Sequence, residues 1–169
     1  MTTMRVGQLS TVRDLDVELR TVRRILLATD LGQASEAATD EAIRLSARLG
    51  ASLVVINILD PARLRDGDGR PDPRVDQARA RRERAAQGIV ARGRARGINA
   101  RFLVWEGEAA EAIVAAAHAE AADLVVMGTH GRGPIGRLVF GSISERVVRD
   151  AAMRVLVVRP DGRGGLFPH

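Results

Sequence analysis

The chain has 169 residues, enough for one domain with a substantial core, and its 26 basic against 21 acidic side chains leave a net charge of +5. Every basic residue is arginine, and lysine, cysteine and tyrosine are all missing. These absences exclude a Schiff-base or P-loop lysine, a thiol nucleophile, a disulfide framework and a cysteine-ligated metal centre.

Hydrophobic residues make up 46 % of the chain but aromatics only 2 %, so the core must be aliphatic. Phe102, Trp105, Phe140 and Phe167 are too few and scattered for a surface that stacks single-stranded bases. A net +5 is modest, and a nucleic-acid partner is not expected on charge alone. Three histidines, His118, His130 and His169, leave little for an imidazole metal cage. Residues 1–22 carry no apolar core of a secretory signal. The longest apolar runs, four to six residues, fall far short of a membrane span. The expectation is a soluble, cytoplasmic protein with no membrane contact.

Short β-rich apolar runs alternate with Ala- and Arg-rich helical stretches. After a leader (1–22) of no assigned role, Arg24 to Thr29 reads as a strand. Ser35 to Leu49 reads as a helix with Ala38, Ala42, Leu45 and Leu49 on one face and Gly50 as its stop. Ser52 to Ile58 is a second strand, and 60–73, rich in Pro, Gly and Asp, a loop. Arg74 to Arg96 is an arginine-rich helix, read as a solvated face, with an anionic partner as the sharper alternative. Ala100 to Val104 is a third strand, Glu108 to Glu120 a helix with His118 at its surface, and Asp123 to Gly128 a fourth strand. Ser142 to Ala152 is the last helix and Arg154 to Arg159 the fifth strand. Residues 161–169, with three glycines and a proline, are expected to be a loose, flexible tail.

Strict alternation with near-continuous apolar strands predicts an α/β fold: an open five-stranded parallel sheet with helices on both faces, Rossmann-like, in one domain over 23–160. Ligands of such sheets bind beyond the carboxyl ends of the strands, where strand order reverses. The fifth strand, apolar on both faces, is expected at a sheet edge open to pairing with a second chain.

The loop after the fourth strand carries the chemistry. Gly128-Thr129-His130-Gly131-Arg132-Gly133-Pro134-Ile135-Gly136 is followed by Gly141-Ser142 at the start of the last helix. Glycines let backbone N–H groups converge on phosphate oxygens, and the helix start adds further N–H groups and a positive dipole end. Ser142 and Ser144 add hydroxyls, and Arg132 a guanidinium able to pair with phosphate. Ser142 and Glu145 also spell a capping box, a competing use of the same hydroxyl. Asp30, at the end of the first strand, reads as a solvated or helix-capping residue, with an ion pair or ligand contact as the sharper alternative. Gly131, Gly133 and Gly136 match the dinucleotide spacing, but the strand that follows is the last one and Pro134 interrupts the helix that should begin. A Walker loop fails for want of lysine.

Gly128, two residues, Gly131, nine residues, Gly141-Ser142 matches the nucleotide-binding signature of the universal stress protein family, which this chain resembles. The flanks Asp123-Leu-Val-Val-Met-Gly-Thr-His-Gly-Arg, Gly141-Ser-Ile-Ser-Glu-Arg-Val-Val, Ile25-Leu-Leu-Ala-Thr-Asp30 and Arg154-Val-Leu-Val-Val agree, and the likeness covers about 23–160. The resemblance implies a homodimer through the fifth strand and ATP or another adenine nucleotide as ligand, with Mg²⁺ held mainly by the phosphates. It implies a regulatory or stress-protective role, with slow ATP hydrolysis or an adaptor role as alternatives. It places Ala28 and Asp30 near adenosine, the Ile58 backbone on adenine, and Met127 and Gly128 at ribose and base. Gly131, Arg132, Gly141, Ser142, Ile143 and Ser144 would hold the phosphates. No catalytic residue and no protein-borne metal site are implied. The sequence departs from the family pattern at Leu31-Gly32-Gln33 and at Asn57, where the family usually has histidine.

Overall fold

The computed structural model describes Leu19 and residues 21–60, 74–129 and 141–168, with the backbone alone for 74–79. Its elements are β1 (Arg24–Ala28), a 3₁₀ turn (Gln33–Ser35), α1 (Glu36–Leu49), β2 (Ser52–Leu59), α2 (Arg74–Arg94) and β3 (Ala100–Glu106). Then follow α3 (Ala109–Ala119), β4 (Leu124–Gly128), α4 (Ser142–Asp150), β5 (Arg154–Val158) and β6 (Gly164–Phe167).

The strands form one sheet in the order β3-β2-β1-β4-β5-β6. β1 to β5 are parallel, with Leu27 opposite Val55 on one side and Val126 on the other. Chain order reverses between β1 and β4, so the switch point lies at their carboxyl ends.

Residue alternation along the strands divides the core into two layers. Ile25, Leu27, Leu53, Val55, Leu124 and Val126 pack under α1 and α2. Leu26, Val54, Ile56, Val125, Val155 and Val157 pack under α3 and α4. The helices obey the same economy. Ala38, Ala42 and Leu45 of α1 recur at helical spacing and are buried, and Gly50 ends the helix in the left-handed conformation (φ +65°) with its N–H on Ser46 O. Arg92 ties α2 to α1 by pairing with Glu36 and Asp40. Burial lowers its pKa, but the bonds and charges of those carboxylates outweigh it and raise the pKa, so Arg92 stays cationic.

Two parts of the sequence reading are corrected. The sheet has six strands, not five, because the tail expected to be loose folds back as β6, antiparallel to β5. β5 is therefore not an edge: β4 flanks it on one side and β6 on the other. The leader also contributes at its end, since Leu19 and Val22 are buried in the α1/α2 layer.

Asp123 pins the start of the sheet. Its Oδ2 accepts the backbone N–H of Arg23 at 2.8 Å and of Arg24 at 2.9 Å. Hydrogen bonds to a charged acceptor contribute about 1.5–3 kcal/mol. Asp123→Ala is expected to lower stability by about 2 kcal/mol in a urea titration. A change below the noise of the titration would show that the bonds contribute nothing net.

Candidate nucleotide site

In an α/β unit each helix runs antiparallel to the preceding strand, so helix starts gather at the carboxyl end of the sheet. There the chain brings together the ends of β1, β2 and β4 with the starts of α1 and α4.

The ends of the strands are staggered. β1 pairs with β2 only as far as Ala28 and Ile56, whereas β2 continues along β3 to Leu59. Even-numbered residues of β2 direct their backbone groups toward β1: Ser52 N–H donates to Arg23 O, and Ile56 O accepts from Thr29 N–H. Ile58 follows the same alternation, so its N–H and C=O point toward β1's side, past its last pair. Thr29 O, the next acceptor along β1, is taken by Asn57 Nδ2 at 2.9 Å. Asn57 is buried, and its Oδ1 has no partner. It thus clamps β1 to β2 where the ladder stops. In the sequence Asn57 stands out as a lone amide in an apolar strand, which signals a polar partner but not which one.

Ala28 and Met127 lie opposite one another in the register and are buried on the α3/α4 side, with Ile58 half-buried in the same layer. Gly128 sits beside α1: a methyl there would meet Ser35 Cα at 3.6 Å and Ala38 Cβ at 3.8 Å.

Asp30 organises the loop after β1. Its Oδ1 accepts from Gly32 N–H at 2.8 Å and from the Ser35 hydroxyl. Glycine at 32 keeps this closure tight, since a Cβ would stand 3.1 Å from the same oxygen and the carboxylate would have to give by a few tenths of an ångström. Leu31 holds φ +63°, a conformation that costs a leucine about 1 kcal/mol or more. Its N–H bonds Thr29 Oγ1, and its side chain packs on the core. The carboxylate thus structures the loop that follows β1, whereas the helix N-cap is Ser35.

The start of α4 corrects the capping box. Gly141, not Ser142, is the N-cap, with extended backbone (φ −71°, ψ 158°) and no side-chain cap. Ser142 is the first helical residue and is exposed. Ser144 is buried, and its hydroxyl donates back to Gly141 O at 3.0 Å. The expected anion-facing hydroxyl of Ser144 thus turns inward, which leaves its backbone N–H. The N–H groups of Ser142, Ile143 and Ser144 have no intrahelical acceptor, which is the usual chemistry of a helix start. Ile143 beside them is the exposed large hydrophobic among the described residues, at 42 %. Gly131 and Arg132, with His130, lie outside the described residues.

Arg146 ties α4 to α3: it reaches Glu108, the N-cap of α3, at 3.0 Å, Glu111 on α3 at 2.5 Å and Asp150 on its own helix at 3.7 Å. Among the described residues no cluster of three or more His, Asp or Glu side chains converges to hold a metal. No helix there is long and apolar enough to cross a membrane. His118 is exposed on α3. At the opposite end of the sheet a cleft of about 430 Å³ is lined by Arg23, Ser46, Ser52, Arg96 and Asn99, among the amino ends of the strands.

The fold is a doubly wound α/β sheet whose strand ends are staggered at the switch point, where proteins of this architecture commonly place a ligand. Residues 21–159 match the universal stress protein family, and the chain belongs to it. A universal stress protein of Thermus aquaticus is 37 % identical over 139 residues, covering 81 % of this chain and 98 % of its own. Among solved structures, a universal stress protein in complex with cAMP superposes with a TM-score of 0.62 at 24 % identity, over 82 % of this chain and 98 % of that one. The universal stress protein of Archaeoglobus fulgidus in complex with dAMP gives 0.59 at 20 % identity, over 80 % and 96 %.

Proposed function

We propose that this chain binds an adenine nucleotide, ATP foremost, in the crevice between the ends of β1, β2 and β4, and acts as a regulatory or stress-protective protein through that binding. The observation that carries the reading is the stagger of the strands. Ile58 presents one N–H and one C=O beyond the end of β1, the pair that an adenine edge, with a ring nitrogen acceptor and an amino donor, can satisfy. Ala28, Met127 and Gly128 would line the base and ribose, and Asp30 would meet the sugar. Phosphates would lie on the N–H groups of Ser142, Ile143 and Ser144 at the start of α4, with Gly131 and Arg132 completing the cradle.

Gly141 supports the phosphate end. Its φ is one that any residue adopts, and among the described residues a Cβ there would meet only Ser144 Oγ at 3.9 Å. Glycine is a favoured N-cap residue, and it also leaves room for the close approach of a ligand. Two proteins of the same fold held in complex with cAMP and dAMP agree with an adenine ligand. A magnesium ion would be carried by the phosphates, since the described residues offer it no cluster of ligands.

Titration calorimetry with ATP, ADP, AMP and cAMP, each with and without Mg²⁺, tests the reading. Saturable binding of at least one adenine nucleotide at one site per chain is expected, with GTP weaker. Absence of heat for all four, with a protein that melts cooperatively, would overturn it.

A further inference from the structure

The parallel ladder between β1 and β2 stops one rung short of what its register allows. Its bonds follow one rule: the N–H of an even-numbered β2 residue donates to the β1 carbonyl just before its partner, and its C=O accepts from the β1 residue just after. Ser52, opposite Arg24, donates to Arg23 O at 2.9 Å, and Ile56 O, opposite Ala28, accepts Thr29 N–H at 3.1 Å. Two residues further on, the same rule would set Ile58 opposite Asp30 and its N–H on Thr29 O. The pairing instead ends at Ala28 and Ile56, although β2 runs on along β3 to Leu59.

A side chain stands where that rung would form. Asn57 Nδ2 donates to Thr29 O at 2.9 Å. The chain then turns away from β2: Leu31 N–H donates to Thr29 Oγ1 at 3.0 Å and Gly32 N–H to Asp30 Oδ1 at 2.8 Å. The amide thus supplies to Thr29 O the donor that the backbone of the next residue would otherwise supply.

Asn57 is a poor choice if the end of the strand needs only cohesion. It is 3 % exposed, the other buried residues of β2 are all aliphatic, and its Oδ1 has no partner. A buried polar atom without a partner destabilises the fold. A leucine of the same branching would remove that atom and let Ile58 N–H close the ladder. The amide is explained by what it prevents.

We propose that Asn57 is a positioning residue of the nucleotide site: its amide occupies the Thr29 carbonyl, so that Ile58 N–H does not close onto β1 and stays open to the ring-nitrogen acceptor of an adenine. This rests on the adenine-nucleotide reading of the crevice and gives the stagger of the strands a cause in one side chain.

Asn57→Leu removes the donor and keeps the branching. Hydrogen exchange of the backbone amides, followed by NMR without nucleotide, reads the ladder directly. In the unaltered chain the Ile58 amide is expected to exchange about a hundredfold faster than that of Ile56, which lies within the ladder. In Asn57→Leu it is expected to slow by about the same factor, because the released Thr29 carbonyl takes it. ATP affinity, by calorimetry, is expected to fall about tenfold, as for the loss of one hydrogen bond to the base. The melting temperature without nucleotide is expected to hold or rise. A side chain that merely supported the fold would lose stability on replacement and leave the Ile58 amide fast. Asn57→Val, smaller and suited to a strand, carries the same expectations should the leucine variant not fold.

Three results would overturn the proposal: an Ile58 amide as slow as that of Ile56 in the unaltered chain, an Ile58 amide that stays fast in a folded variant, or a slowed amide with ATP affinity unchanged. An unaltered chain that binds no adenine nucleotide overturns the reading of the site instead. The amide is read without nucleotide, so the two failures are told apart.

Discussion

Gly141→Val is expected to abolish the rise in melting temperature that ATP gives the unaltered chain. At one hundred times its Kd a ligand that binds only the native state stabilises it by about 2.7 kcal/mol. For a domain of this size that is a shift of roughly 5–10 °C. The valine would place a branched side chain where the phosphates must approach the first N–H groups of α4. The described residues accommodate the change, since the backbone is extended there and the nearest of their side-chain atoms to a new Cβ is 3.9 Å away. Among the described residues the cost is the loss of a favourable N-cap residue, worth about 1 kcal/mol. Differential scanning fluorimetry with and without 1 mM-range ATP and Mg²⁺ reads both effects at once. A Gly141→Val protein that still gains stability from ATP as the parent does would place the phosphates elsewhere.

Leu27→Ala is expected to have the largest effect on stability. Leu27 lies on the central strand β1, fully buried, with Val55 and Val126 beside it in the sheet and α1 above. Removing three carbons from a site enclosed on every side leaves a cavity that the sheet cannot close, and such losses run at about 3–4 kcal/mol. Leu27→Met, which conserves volume, should cost less than about 1.5 kcal/mol. Urea titrations of the two variants separate cavity formation from a general sensitivity of β1. Equal midpoints for the two would sink the argument.

The contrast between these substitutions follows the layout of the molecule. Sheet positions such as Leu27 answer to packing, and the helix start at Gly141 answers to what is brought to it. A residue at the crevice can do both. Asp30 closes its own loop through Gly32 and Ser35 while standing where a ligand would lie, so its removal would change loop order and binding together. Gly141 is the cleaner probe because its duty as N-cap is worth only about 1 kcal/mol and is read without ligand.

Much of this was legible in the residues, and the exceptions have local causes. The β6 hairpin carried its own signal, Pro160-Asp161-Gly162 between the apolar run of β5 and Leu166-Phe167. Two glycines in a four-residue strand hid it, because glycine is a poor strand former and the strand forms only against β5. The capping box at Ser142 and Glu145 was out of place by one residue. A Ser-x-x-Glu spacing cannot say whether the serine stands before the helix or inside it, and here Gly141 takes the cap. Asn57 was visible as a polar residue among valines and isoleucines. Its role was not visible, because its partner, Thr29 O, is 28 residues away in the chain.

By itself the sequence determined the alternation of strands and helices, the aliphatic core, the exclusion of lysine and cysteine chemistry, and the glycine spacing by which the family is recognised. Each of these is a matter of composition or of short-range period, and period is set by the geometry of one helix or one strand. The tertiary structure alone decided the order of the strands, the stagger that turns the backbone of Ile58 outward, and the neighbour on the outer side of β5. Those depend on pairings between segments far apart in the chain, whose free energy is realised only when the sheet is assembled.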